Sequence, residues 1–322
     1  MNAPKISVVM SVYNGATTLE KTIRSVLSQS MSDFEFIIVN DGSSDQSQQI
    51  LQNASNSDSR IVLLEQENQG ITLALVNGCQ IARGKYIARQ DDGDISFKTR
   101  LASQLQHFEN NPRTALLSCA TEFIAPTGET LYTVTQSDEI ADQGLRCLTV
   151  DTLRGPPHHG SAMFSRDLYL KVGGYRAEFE VAQDIDLWSR LIEHGVHQSL
   201  DEVLYQAVIA KNSISMLRRD QQLAATQAII DCSKARQHAG NDQSELDNYS
   251  AKNKTDNIAV KANNISDADF YYFIASNLSK SNLKASARYL RLALKSNPYH
   301  WKAYAKLMLN FVAKLFNGKL KT

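Results

Sequence analysis

Four short runs punctuate the first ninety residues of the chain: ISVVMSV (6–12), FEFIIVN (34–40), IVLLE (61–65) and KYIAR (85–89). The first two are apolar almost throughout, as strands must be when helices cover a parallel sheet from both sides. Between the runs, apolar residues recur at helical spacing: Leu19, Ile23, Val26 and Leu27 in the first gap, Leu73, Ala74 and Ile81 in the third. Asn14-Gly15 is a turn, Thr17 or Thr18 can cap the first helix, and Ser44 can cap a second that runs through about Ala54. Strand and helix thus alternate four times, which specifies right-handed βαβ units on a mostly parallel sheet flanked by helices, an α/β fold.

Such a sheet opens its ligand crevice at the carboxyl ends of its strands. Asp41 directly follows the second run, and YIARQDDGDIS (86–96) sets Asp91, Asp92 and Asp94 just beyond the fourth. Two like charges ~4 Å apart, at an effective dielectric of about 20, repel by roughly 4 kcal/mol. A divalent cation or a shifted pKa relieves this. The knot therefore reads either as a solvated acidic loop or as a seat for a hard cation. Mg²⁺ or Mn²⁺ is favoured over Ca²⁺, because no EF-hand pattern with its terminal Glu is present. Neither G-x-x-x-x-G-K-[ST] nor G-x-G-x-x-G follows the first strand, so a nucleotide bound here would need a cation to bridge its phosphates to the carboxylates.

Beyond Arg100 the pattern loosens. LASQLQHFE reads as helix, TALLSCATEFI as strand, and a further helix ends at Gly195. From about Leu217 the chain turns helical, with a linker-like stretch rich in Asn, Ser, Asp and Lys at 240–257. The expectation is an α/β domain over 1–215 and a helical, basic C-terminal domain over 216–322. Charge follows this division. Residues 1–214 carry 17 basic and 26 acidic residues, a net of −9, and residues 215–322 carry 17 and 8, a net of +9. From Tyr271 to Thr322 there are ten basic residues and no acidic one. A helix over about 299–316 would set Lys302, Lys306, Asn310 and Lys314 in one stripe beside a broad apolar surface that includes Trp301, Tyr304, Met308 and Phe311. Two uses are open for it: packing within its own domain, or peripheral contact with an anionic membrane. Nucleic acid is disfavoured, since the basic region lacks a recognised motif and the larger domain is acidic.

The four cysteines are widely spaced without a C-x-x-C pair, which suits a reducing compartment and argues against a zinc site or a disulfide framework. The run Ile6–Val12 is too short for the core of a signal peptide, and no run approaches the roughly 20 apolar residues of a membrane span. A cytoplasmic protein is expected, at most peripheral to the inner face of the membrane.

SVVMSVYNG, IIVNDGSSD, ENQGITLALVNGCQIARGKYIARQDDGDIS..TR, HHGSAMFSR, VGGY and QDIDLW occur in this order. Together, over roughly residues 5–210, they resemble family 2 glycosyltransferases, inverting enzymes of the GT-A fold that use nucleotide-sugar donors. The resemblance implies a transfer from a nucleotide-diphosphate donor, UDP-sugar first, to a saccharide or lipid-linked acceptor in surface polysaccharide synthesis. It aligns Ser11, Tyr13 and Asn14 with the strand end that meets the nucleotide, and Asp41 with the acidic residue that contacts base or ribose. Asn68, Asp91 and Asp92 join the nucleotide site, and Arg89 supports the carboxylates. Asp184 matches the general base, which takes the proton from the acceptor hydroxyl. His159, Asp186 and Trp188 fall in the acceptor region or support it; for Asp186 and Trp188 a structural role is preferred.

The family's usual string is D-A-D-D-I-S, whose third position ligates the metal. Here that position is Gly93, which leaves Asp92 or Asp94 to hold Mg²⁺ or Mn²⁺. Two other functions compete. A non-catalytic sugar-nucleotide-binding or scaffold subunit has no need of Asp184. A nucleotidyltransferase on a related fold calls for a Gly-rich basic loop after the first strand, and SVYNGATTLEK contains none.

Overall fold

The computed structural model describes residues 3–211, 218–255 and 265–318. Its first segment alternates β1 (Ile6–Val12), α1 (Leu19–Leu27), β2 (Phe34–Asp41), α2 (Ser47–Ser57), β3 (Ile61–Gln66), α3 (Ile71–Gln80) and β4 (Tyr86–Arg89). Strands β3, β2, β1 and β4 lie side by side in that order, all parallel, with Val8 opposite Phe36 on one flank and Ala88 on the other. The order reverses between β1 and β4, so the crevice opens beyond Val12 and Arg89.

Period-two alternation builds a core on each face of the sheet. Ile6, Val8, Met10 and Val12 pack with Phe36 and Ile38 against Leu19, Ile23 and Val26 of α1 and Leu51 of α2. Val9, Ile37 and Val39 point the other way, onto Ala74, Leu75 and Cys79 of α3. Two expected caps differ. Thr18 stands at the N-cap of α1 but turns its hydroxyl to the Gly15 carbonyl and the Asp92 carboxylate instead of the helix. The second helix starts at Ser47, whose N–H donates to Asp45 Oδ1, because the carboxylate two residues back offers a better acceptor than Ser44.

After β4 come β5 (Ile95–Ser96), α4 (Arg100–Asn110), β6 (Thr114–Ile124), β7 (Thr130–Val134), α5 (Asp138–Arg146), β8 (Met163–Ser165), α6 (Arg166–Lys171), α7 (Gln183–Leu191) and β9 (Val196–Val208). β8 joins β4 antiparallel and β6 joins β8 antiparallel; β9 follows, with β5 paired antiparallel to it. A parallel half and an antiparallel half thus share one sheet.

Two compact units emerge. One gathers the described residues of 1–121, 134–207 and 220–260, the other those of 122–133, 208–219 and 261–322. In the first unit, α8 (Arg219–Ala239) and α9 (Gln243–Thr255) place Ala225, Ile229, Cys232, Leu246 and Tyr249 on Phe179 and Val181. The stretch read as a linker over 240–257 is thus helical from Gln243 to Thr255. Two buried side chains, Leu246 and Tyr249, anchor a segment whose composition otherwise reads as solvated. In the second unit, α10 (Asp267–Leu278), α11 (Leu283–Ser296) and α12 (Trp301–Gly318) follow one another, and Phe270, Ile274, Leu278, Tyr289, Leu290 and Ala303 share a core with Leu131. Among the described residues no helix is long and apolar enough to cross a membrane.

Cys79, Cys119 and Cys232 are buried and Cys147 is partly exposed. Burial pushes the Cys79 thiol up to about 12, and those of Cys119 and Cys232 to about 11. The thiolate is the reactive form, so a disulfide reagent should titrate one thiol, Cys147, in the native protein and four after unfolding in urea.

Candidate functional site

The strand end after β4 is built on a buried cation. The Arg89 side chain is fully enclosed, and its guanidinium donates to the Val9 carbonyl, to Asp91 Oδ1 at 2.7 Å and to His159 Nε2 at 3.2 Å. Burial alone pushes the Asp91 carboxyl up, but Arg89, helped by Arg100, outweighs it and holds Asp91 below the usual carboxylate range. Arg100 lies beneath, donating to the Arg89 carbonyl at 2.8 Å and to Ser96 Oγ at 2.8 Å.

Asp92 goes its own way. It faces Thr18 Oγ1 at 3.3 and 3.4 Å, and burial raises its carboxyl to about 7. Asp94 turns back inside the loop, where Tyr205 Oη donates to its Oδ2 at 3.0 Å. The same Tyr205 oxygen accepts the Asp91 N–H at 3.1 Å, while Gln90 Nε2 donates to the Asp91 and Asp94 carbonyls. Gly93 makes this loop possible: its φ of 93° is one that side-chain-bearing residues avoid, and its N–H donates to Thr22 Oγ1 at 3.1 Å. The repulsion expected of three clustered carboxylates is thus met separately by an arginine, by a raised pKa and by a tyrosine hydroxyl.

His158 completes the cluster. Its Nδ1 is 3.5 Å from Asp94 Oδ2 and 3.8 Å from Asp91 Oδ2, and its ring stacks on Tyr205 at 5.4 Å. The ligand atoms of Asp91, Asp94 and His158 all lie within 4.8 Å of one another. Neighbouring ligands on an octahedral ion at about 2.1 Å sit about 3 Å apart, so modest closure suffices. One imidazole beside two carboxylates suits Mn²⁺ better than Mg²⁺. Gly160 N–H also donates to His158 Nδ1 at 3.1 Å, so coordination through that nitrogen requires the ring to turn. Asp92, expected among the ligands, is not in this cluster.

Asp184 lies in the first turn of α7 and is partly exposed, with its own Oδ1 accepting the Ile185 N–H at 2.9 Å. Burial raises its pKa, and the negative charge of Asp91 acts in the same direction. The two carboxylates therefore sense one another across the site. The residue before Gln183, Ala182, is left-handed with φ 57°, and the only other such non-glycine residue described is Asn14, at the end of β1. Both bends flank the same crevice, where backbone strain tends to collect.

The remaining candidates divide into rim and frame. Tyr13 and Asn68 are exposed and Ser11 is half-buried; Asn14 Oδ1 accepts the Ser44 N–H at 2.8 Å. Asp41 is buried, and its carboxylate accepts from Gln66 Nε2 and from the N–H groups of Gln69 and Gly70. It shapes the loop that carries Asn68. His159 is held neutral, its pKa driven down to about 3 by burial, with Tyr175 Oη at 2.8 Å from Nε2. Asp186 is buried and paired with Arg190 and with Arg176, 3.6 Å away, and Trp188 is buried in the core. Asp186, Trp188 and His159 thus support the site from behind, and His158, extended just before the 3₁₀ turn His159–Ser161, is the histidine at its front.

Sequence reasoning missed Tyr205 as a site residue. Its only trace is indirect: a Cβ on Gly160 would fall 1.9 Å from Tyr205 Oη. Gly160→Ala should therefore cost about 1–3 kcal/mol of stability by overpacking, read from the urea midpoint.

The family model of "Glycosyl transferase family 2" matches residues 7–173. Over 240 residues the chain is 32% identical to EpsE of Bacillus subtilis (strain 168), a protein provisionally named as a glycosyltransferase, covering 71% of this chain and 81% of EpsE. It is 24% identical over 252 residues to the chondroitin synthase of Pasteurella multocida (strain Pm70), covering 78% of this chain but 25% of the synthase. The crystal structure of S. aureus TarS 1-349 in complex with UDP-GlcNAc superposes with a TM-score of 0.57 at 17% identity, covering 95% of this chain and 89% of that one. The mannosyltransferase PcManGT from Pyrobaculum calidifontis, in complex with GDP-Man and Mn²⁺, superposes with 0.53 at 16%, covering 98% and 88%. These likenesses establish the GT-A fold.

Proposed function

Because the chain belongs to glycosyltransferase family 2, we propose that it moves a sugar from a nucleotide-diphosphate donor, a UDP-sugar first among them, to an acceptor hydroxyl with inversion. Asp184 takes the acceptor proton as the hydroxyl oxygen bonds to the anomeric carbon. The bond from that carbon to the diphosphate breaks on the opposite face, and the diphosphate leaves with the electron pair. One carboxylate suffices for a single displacement of this kind, and positioned proton transfer contributes ~10²–10⁴-fold. Asp91, Asp94 and His158 would hold the divalent cation, whose charge stabilises the departing diphosphate. Tyr13, Asn14, Asn68 and the carboxylate frame of Asp41 border the nucleotide; Arg89 keeps Asp91 ionised and aimed.

The observation that carries this proposal is the grouping of Asp91, Asp94 and His158, whose ligand atoms lie within 4.8 Å of one another, with Asp184 in the first turn of α7. A purely binding or scaffold subunit has no use for a general base at Asp184, although it would bind UDP equally well. TarS and PcManGT were solved with UDP-GlcNAc and with GDP-Man and Mn²⁺, which supports a nucleotide-sugar and a divalent ion as first choices. The likeness to a chondroitin synthase supports a saccharide acceptor; a lipid-linked acceptor, surface polysaccharide synthesis and a cytoplasmic location are part of the proposal. Incubation with UDP-sugars and Mn²⁺, followed by NMR of the product's anomeric proton, tests the assignment. Release of UDP with inverted configuration is expected. UDP binding without turnover on any acceptor would favour the binding subunit.

A further inference from the structure

The last described helix, α12, uses only one face to hold its own unit together. Ala303 is buried in that core, Leu307 packs against it, and the Asn310 side chain donates to Ser286 Oγ at 2.8 Å. Of the expected stripe of Lys302, Lys306, Asn310 and Lys314, the Lys314 side chain lies outside the described residues and the rest is split: Asn310 points inward, Lys302 outward. The opposite face carries Trp301, Tyr304, Met308 and Phe311 at spacings of three, four and three, one helical stripe. Trp301 is 70% exposed, Met308 72% and Phe311 64%. Large apolar groups in such a row, left in water, mark a contact surface.

Charge chooses the occupant. Lys302 flanks the stripe, Lys306 lies beside it, and Lys295 ends the preceding helix; none of them forms an ion pair among the described residues. The segment from Tyr271 onward holds ten basic and no acidic residues. A second copy laid face to face would bring like charges together. An anionic bilayer instead attracts the lysines and receives the apolar stripe, with Trp and Tyr at the depth where one end is wet and the other dry. We propose that α12 seats the second unit on an anionic membrane surface, lying in the interface without crossing it. The inference stands independently of the transfer chemistry.

The chain contains two tryptophans, Trp188, 2% exposed, and Trp301, so a fluorescence change on binding reports chiefly on the helix. The full chain is mixed with vesicles of phosphatidylglycerol and phosphatidylcholine, or of phosphatidylcholine alone. The expected result is co-sedimentation and a blue shift with the anionic vesicles only, weakened by salt. Trp301→Phe should abolish the shift yet leave most of the sedimentation. Met308→Ser with Phe311→Ser should weaken binding about 100-fold, and each lysine changed to Gln about fivefold, with thermal melts unchanged. Equal binding to neutral vesicles, or none to either, overturns the proposal. So does an oligomer on gel filtration that the serine variants dissociate, which would assign the stripe to a second copy.

Discussion

Asp184→Asn should lower the transfer rate by about 10²–10⁴-fold and leave the affinity for UDP unchanged, because the carboxamide keeps the volume and loses only the base. The sign of the stability effect is the second half of the test. Asp184 has a folded-state pKa raised by burial and by Asp91, so the folded chain holds this proton more tightly than the unfolded one. Stability is therefore lost as pH rises from the ordinary carboxylate value through the raised one. Above that window the neutral amide should be the more stable protein. A higher melting temperature with lost turnover identifies a group kept for chemistry; a lower one would mean that Asp184 mainly secures α7. In the wild type, kcat/KM should fall on the acidic side as Asp184 takes up its proton, and this limb should vanish from the residual activity of the variant.

Removing the cation should be nearly as damaging. Calorimetric titration with UDP is expected to show Mn²⁺-dependent binding, weakened by EDTA. Loss of a supporting group near a metal typically costs 10–100-fold in affinity, so Asp94→Asn or Asp91→Ala, which remove a ligand, should cost at least about 100-fold. EDTA should then have almost no further effect in either variant, since the two losses are one loss. Asp92→Asn should keep metal-dependent binding, because its carboxyl faces Thr18 and lies outside the cluster. If Asp92→Asn alone abolished that dependence, Asp92 would replace His158 as the third ligand. Asp91→Ala carries a separate penalty, as it leaves Arg89 buried without its partner, so Asp94→Asn is the cleaner probe.

Much of the fold was legible because β1 and β2 are buried on both faces, and such strands leave uninterrupted apolar runs. The crevice was legible for the same reason, since Asp41 and Asp91 follow those runs directly. What escaped was set by contacts without local signature. Composition in 240–257 hides Leu246 and Tyr249, and two buried side chains suffice to fix a helix. The choice between His158 and His159 depends on where the extended backbone gives way to the 3₁₀ turn that begins at His159. The choice between Asp92 and Asp94 depends on how Gly93, left-handed, turns the chain. Tyr205 lies in a strand of ordinary appearance and acts 115 positions from Gln90.

That distance has a kinetic meaning. The hydroxyl of Tyr205 knits Asp91 and Asp94 into their loop, yet it arrives on β9, the last strand among the described residues. Contacts of such long sequence separation form late and slowly. A nascent chain that stops before Val196 would carry Asp91, Asp94 and His158 without the hydroxyl that ties the two carboxylates into their loop. The carboxylate loop should therefore take its final shape only once β9 has joined the sheet.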